Sequence, residues 1–207
     1  MRICLGLLLL AATGFAQEYR RHSVSIGLGA ALPRGELRPL FSDSFMAGAA
    51  YGYRFQEFFQ ADIGFDTAFG AADIRDWVPS FAGNLRIRDY QYFLPFGGRV
   101  VLPIASERVH IYGGGGGVYM RYSERIRQPF ADSGFRFDCD VCSSRHGVGY
   151  YGLVGVDVAL DRAQHFRIGV GGRVIRGDTD GDPFGAVPPR QTDDRWIQIF
   201  GRFTFSF

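Results

Sequence analysis

The chain has 207 residues, with 23 basic side chains, all arginine, against 21 acidic ones. Near-neutral charge without a basic block or stripe argues against a nucleic-acid partner. Glycine is abundant at 29, there are 20 phenylalanines and 10 tyrosines, and no apolar run beyond residue 16 reaches the length of a membrane helix.

Met1-Arg2 supplies a positive charge, Ile3 to Ala12 a short apolar run, and Gly14-Phe15-Ala16 a small-x-small site before Gln17. This is the layout of a secretory signal peptide over residues 1–16. Cys4 lies inside the apolar run, not at a lipoprotein cleavage site. Residues 17–207 are then one domain of about 190 residues.

Eight segments alternate with period two. The first, Ser23 to Leu32, sets Val24, Ile26, Leu28 and Leu32 against Ser23, Ser25, Gly27 and Gly29. The second, Phe45 to Phe55, opposes Phe45, Tyr51, Tyr53 and Phe55 to Met46, Gly48, Gly52 and Arg54. The third, Phe58 to Phe69, opposes Phe59, Ile63, Phe65 and Phe69 to Gln60, Asp62, Gly64 and Asp66. The fourth, around Tyr90 to Val100, carries Pro95, where a bulge would shift the register. The fifth, Val109 to about Arg125, contains Gly113 to Gly117, yet Tyr112, Val118, Met120 and Tyr122 keep the period. The sixth, Val148 to Leu160, and the seventh, Phe166 to Ile175, alternate cleanly, and the eighth runs from Arg195 to Phe207. The register around Pro95 and Gly113 stays open at this level.

Connections alternate in length. Residues 56–57, 102–108 and 161–164 are short; 33–44, 70–84, 124–147 and 177–194 are long and rich in Pro, Gly, Asp and Arg. Both chain ends fall on the short side, as in a barrel with periplasmic turns and extracellular loops. The last strand ends Phe203-Thr-Phe205-Ser-Phe207, with the aromatic row on one face. This strand resembles the C-terminal strand of Gram-negative outer-membrane β-barrels, and the chain from residue 17 resembles the small OmpA/OmpX-type barrels. The resemblance implies an all-β, eight-stranded, antiparallel up-and-down transmembrane barrel in the cell outer membrane. It further implies a monomer in contact with outer-membrane lipid, with Phe203, Phe205 and Phe207 read by the barrel-assembly machinery and periplasmic chaperones.

The large aromatic and β-branched face is expected to meet lipid, and the narrow charged face to line the interior. That assigns Arg54, Asp62, Asp66, Arg99, Arg121, Asp157, Arg167, Arg173 and Arg202 to an interior polar network. An eight-stranded barrel is just wide enough for its own side chains, so these charges fill it. A soluble lipocalin-like barrel is the alternative, since period two alone does not say which face is inside.

Three surface features bear on chemistry. Cys139 and Cys142 in the third long loop are expected to form a local disulfide in an oxidising compartment. Zinc would need a fourth ligand beyond Cys139, Cys142 and His146. Asp178-Thr-Asp180-Gly-Asp182 resembles the start of a calcium loop, but Pro183 and Pro189 stand where glycine and glutamate belong. Ser143, Ser144 and His146 lack a nucleophile motif. The expectation is therefore no catalytic residue, no metal and no cofactor. The function expected is a non-enzymatic, structural or surface-interaction role through the extracellular loops. An outer-membrane lipid-modifying enzyme and a narrow pore are the alternatives.

Overall fold

The computed structural model describes residues 20–38, 41–69, 77–80, 83–104, 108–127, 142–181 and 192–207. They form nine strands: β1 (His22–Gly35), β2 (Ser44–Arg54), β3 (Phe59–Phe69), β4 (Trp77–Ser80), β5 (Gly83–Ile104), β6 (Val109–Arg127), β7 (Cys142–Ala159), β8 (Phe166–Gly181) and β9 (Thr192–Ser206). Eight of them are staves. Each pairs antiparallel with its chain neighbour, β1 pairs with β9, and β3 pairs with β5, so the sheet closes on itself. Closure removes every free edge along the wall.

The ninth strand is an addition to the eight predicted. β4 pairs only with Gly83–Arg86 of β5, as a hairpin beyond the wall. The staves also outrun the predicted segments on the long-loop side. β5 starts at Gly83, β7 at Cys142 and β9 at Thr192, so much of what reads as loop continues the ladder.

Pro95 does not cause a bulge. β5 and β6 keep one register from Arg86↔Arg127 through Pro95↔Val118 to Ile104↔Val109. On the other side, Ile63↔Phe96 and Asp66↔Phe93 are in phase across a gap. A residue without N–H leaves rungs out without inserting a residue.

Following opposed residues once around the barrel fixes its shape. Arg34 faces Arg195, then Arg176, Tyr150, Gly117, Phe96, Ile63 and Tyr51, and the row returns to β1 at Val24, ten residues before Arg34. Eight strands with that stagger tilt by about 40° at a backbone radius of about 8 Å. Each step along a strand then climbs about 2.5 Å, and each step across a row about 3 Å.

The wall is apolar outside. Ile26 is 61 % exposed, Val148 69 % and Val154 67 %, and Phe45, Phe65, Phe96 and Ile199 also stand outward. The buried set is mixed, with Asp157, Arg167, Gln91 and Gln198 beside Met46, Phe93 and Trp196. Such an exterior suits hydrocarbon, where a closed barrel satisfies its whole backbone internally. Phe203, Phe205 and Phe207 all face outward. Phe207 is tied to the seam, its amide donating to His22 O at 2.9 Å and its carbonyl accepting from His22 N at 3.0 Å.

One predicted face is reversed. In β6, Tyr112, Val118, Met120 and Tyr122 point inward and Arg121 is exposed on the outer face. Arg121 therefore does not belong to the interior network. The glycines make room for this inward set. The Tyr112 hydroxyl lies 2.0 Å from where a Cβ on Gly155 would sit and 2.4 Å from one on Gly171. On the outer face, the Phe96 ring covers the Cβ position of Gly117, 2.5 Å away.

Candidate functional site

The chemistry of this molecule is concentrated inside the barrel, where alternate residues of all eight staves meet. In the middle of the wall three arginine–aspartate pairs lie inside the lumen, one of them, Arg173 with Asp66, reaching across it. Arg99 donates from Nε to Asp62 Oδ2 at 2.7 Å and from Nη2 to Oδ1 at 2.6 Å. Arg202 donates from Nε to Asp157 Oδ1 at 2.9 Å and from Nη2 to Oδ2 at 2.5 Å. Arg173 donates to Asp66 and, at 3.0 Å, to Gln198 Oε1. Planar forks on carboxylates are strong, directional contacts, and burial removes the screening that weakens surface pairs.

Aromatic rings separate these pairs. The Arg202 guanidinium lies 4.0 Å from the Tyr112 ring centroid and that of Arg99 5.1 Å. Arg173 lies 5.2 Å from the Tyr151 ring and 5.5 Å from that of Phe200. Between them a cavity of about 60 Å³ is lined by Asp62, Asp66, Arg99, Arg173, Arg202 and Tyr151 among others. Charged side chains reach into a largely apolar space that is roomy enough for water.

Toward the long-loop end a second network closes the lumen. Trp196 Nε1 donates to the Tyr122 hydroxyl at 2.9 Å, which donates to Asp194 Oδ2 at 2.8 Å. Thr179 and Thr192 each donate to Asp194 at 2.7 Å. Arg145, with no exposed surface, donates to Thr179 O at 2.9 Å and Thr192 Oγ1 at 3.2 Å. Leu37 and Phe41, from the connection after β1, are buried over this network; the Phe41 ring lies 5.7 Å from Tyr122 and 5.9 Å from Trp196.

At the short-turn end, Arg54, Arg167 and His110 point inward and are buried. Arg167 donates to Ser206 Oγ at 2.8 Å. The turn 160–165 is organised by Asp161, whose carboxylate accepts from the amides of His165 and Phe166 at 3.1 and 2.9 Å and meets the His165 ring at 3.0 Å. These contacts, the Phe166 amide first, hold the Asp161 carboxyl down to about 2.

Outside, the wall changes character in one step. Arg34, Arg195 and Arg176 face one another across β1, β9 and β8, just beyond outward Leu32, Ile197 and Val174. Asp193 accepts from Arg195 at 2.8 Å and Arg176 at 3.2 Å. The Arg195 hydrogen bond foremost, with Arg176 beside it, holds the Asp193 carboxyl below the usual range.

The predicted interior residues Arg54, Asp62, Asp66, Arg99, Asp157, Arg167, Arg173 and Arg202 all face the lumen; Arg121 is the exception. The sequence reading missed Arg145, Thr179, Thr192, Asp194 and the inward Tyr122. Carrying the period of the last strand back from Trp196 places Asp194 and Thr192 on the inner face. Asp178 and Asp180, read as the start of a cation loop, lie on the outer face of strand β8; Asp182 lies outside the described residues. Ser144 and His146 lie on β7, with inward Arg145 between them. Cys142 opens β7, opposite Arg125, rather than sitting within a loop. Its side chain and Cys139 lie outside the described residues, as do residues 1–19.

No family model and no curated protein matches the chain by sequence. Solved structures match its fold. Neisserial surface protein A is 14 % identical, covering 90 % of this chain and 97 % of its own, with a TM-score of 0.60. The outer membrane protein OprG of Pseudomonas aeruginosa is 14 % identical over 93 % of this chain and 99 % of its own, at 0.55. Ail, the attachment invasion locus protein of Yersinia pestis, is 15 % identical over 90 % and 100 %, at 0.51. The chain has the fold of the eight-stranded outer-membrane barrels, and its apolar wall suits a surround of lipid.

Proposed function

We propose that this barrel is a non-enzymatic envelope protein that works at its outer rim, holding phosphorylated lipid headgroups of the outer leaflet against its wall. The observation that carries this reading is the row Arg34, Arg195 and Arg176, like charges on neighbouring strands at one step past the apolar belt. Directly opposed like charges destabilise a sheet unless something neutralises them. Asp193 answers two of the three, and Arg34 meets Asp43 only at 3.9 Å. Phosphate fits the guanidinium fork bidentately.

The filled lumen supports the same reading, because it leaves the rim as the part that meets a partner. Reconstitution in vesicles containing phosphorylated or dephosphorylated outer-leaflet glycolipid tests it. The triple change Arg34→Gln, Arg195→Gln, Arg176→Gln should abolish a preference for the phosphorylated form and make cells more permeable to hydrophobic dyes. Equal enrichment of both lipids around the unmodified barrel would sink the proposal. The charged cavity favours one second reading, a narrow pore, and single-channel currents in planar bilayers would reveal it.

A further inference from the structure

We propose that a groove in the outer wall retains one anionic phospholipid of the leaflet on the short-turn side, its acyl chain over Gly201 and its phosphate on Arg162 and Arg108. The groove has a volume of about 840 Å³ and crosses β7, β8, β9, β1 and β2. Exposed Phe203 and Ile168 flank its lower half, Leu28 and Val170 its upper half. Gly201 lies on the floor, directly between Leu28 and Val170. A Cβ there would meet nothing of the barrel nearer than Gly169 O, at 3.9 Å. Glycine weakens a strand, and here the fold does not use the space it leaves. An open glycine alone is no site: Gly152 on β7 is as bare and lies outside the groove. At Gly201 the bare position joins a groove whose height and foot both fit a lipid.

Val158 marks the foot of the groove and Ala47 its head. With the climbs per step given above, Ala47 stands about 17 Å above Val158. One leaflet of hydrocarbon is about 15 Å deep, so the groove has the height of a single acyl chain. Its foot is at the turns. Val158 opposes Val109, and the next residue, Ala159, donates its amide to Arg108 O at 2.7 Å. Arg162 follows three residues later, and both arginines are exposed. Asp161 is turned to its own strand, its carboxylate on the His165 and Phe166 amides and the His165 ring. A phospholipid with a chain along the groove brings its phosphate to this foot, where a guanidinium fork receives it. Apolar chains gain little by leaving one another for an apolar wall, so close packing and the headgroup contact single out one lipid. Arg34 stands six residues above Leu28, about 15 Å, so a chain hung from the other rim ends at the head of the groove.

Native mass spectrometry of the folded full chain, released from nanodiscs of equal phosphatidylglycerol and phosphatidylcholine, tests the assignment. One retained lipid per chain is expected, with phosphatidylglycerol favoured by about fivefold or more, the worth of one arginine at a lipid surface. Gly201→Leu fills the floor and should cut retention of both lipids about tenfold, the worth of some ten lost carbon contacts. Gly152→Leu leaves those contacts intact and should stay within about twofold. Arg162→Gln with Arg108→Gln should erase the preference while a lipid is still retained. If Gly201→Leu does not fold, which the heat-dependent gel shift reads, Ala47→Phe must still cut retention by about threefold or more. Equal retention of the two lipids by the unmodified chain would overturn the proposal. So would unchanged retention in Gly201→Leu, equal loss in Gly152→Leu, or an unchanged preference in the double arginine variant. Loss of the preference in Arg34→Gln, Arg195→Gln, Arg176→Gln would overturn it too, since the phosphate would then sit at the other rim. The glycolipid reading of that rim stands or falls on its own test.

Discussion

Replacing Asp157 by alanine breaks one bidentate buried pair of the lumen from one side. Asp157 is 2 % exposed and holds both ends of the Arg202 fork. Its loss deletes two charge-assisted hydrogen bonds, each worth roughly 1.5–3 kcal/mol. It also strands the guanidinium, which Tyr112 keeps in place at 4.0 Å. Breaking a buried pair from one side costs about 3–5 kcal/mol, and that is the expected loss. Removing both charges, in Asp157→Val with Arg202→Met, should return stability to within about 1–2 kcal/mol of the original, because a packed apolar pair often replaces an ion pair at little cost. Urea unfolding in lipid vesicles, followed by the fluorescence of buried Trp196, measures both. A single-variant loss below about 1 kcal/mol, or a double variant as damaged as the sum of its parts, would refute the lumen pairing.

Three more outcomes are expected. Deleting Phe207, or changing Phe203 and Phe205 to serine, should cause periplasmic accumulation and degradation, because the lipid-facing row and the seam both depend on this strand; fractionation and the heat-dependent gel shift of closed barrels read it. Cys139 and Cys142 should resist a membrane-impermeant maleimide on intact cells until a reductant is added, while free thiols in untreated cells would remove the disulfide reading. Asp161 should titrate near 2 by carboxyl-carbon NMR. Since its folded value is depressed, its support of the turn is complete above about 4 and is lost as pH falls toward 2. Asp161→Asn should loosen the turn at neutral pH and abolish that dependence.

The alternation of β1, β2, β3 and β9 was legible because their two faces differ sharply in chemistry. β6 was not, because the lumen is not simply polar. Tyr112 is needed to separate Arg202 from Arg99, and Met120 and Tyr122 sit against the Trp196–Asp194 network, so the inner face of β6 looks as greasy as an outer one. Arg121 was misassigned for the same reason. The strand extensions toward the long loops escaped notice because a strand standing in water has no lipid to demand an apolar face. Arg34 then reads as a loop residue, Arg176 and Arg195 as strand-end residues, and Arg145 and Asp194 are hidden in the loops. Their common row appears only once the register is known.

The seam between β1 and β9 has a kinetic meaning. Ser23 pairs with Ser206, and His22 exchanges hydrogen bonds with Phe207, so the contact that closes the wall joins residues about 180 positions apart. Every other stave pairs with a near neighbour in the chain. Closing the longest loop comes at the greatest entropic cost and offers no reward until it is complete. Until then the sheet carries two raw edges and an apolar exterior. Folding therefore runs as a zipper along the chain with one late, decisive snap, and the population most at risk of aggregation is a nearly finished barrel lacking only its final clasp.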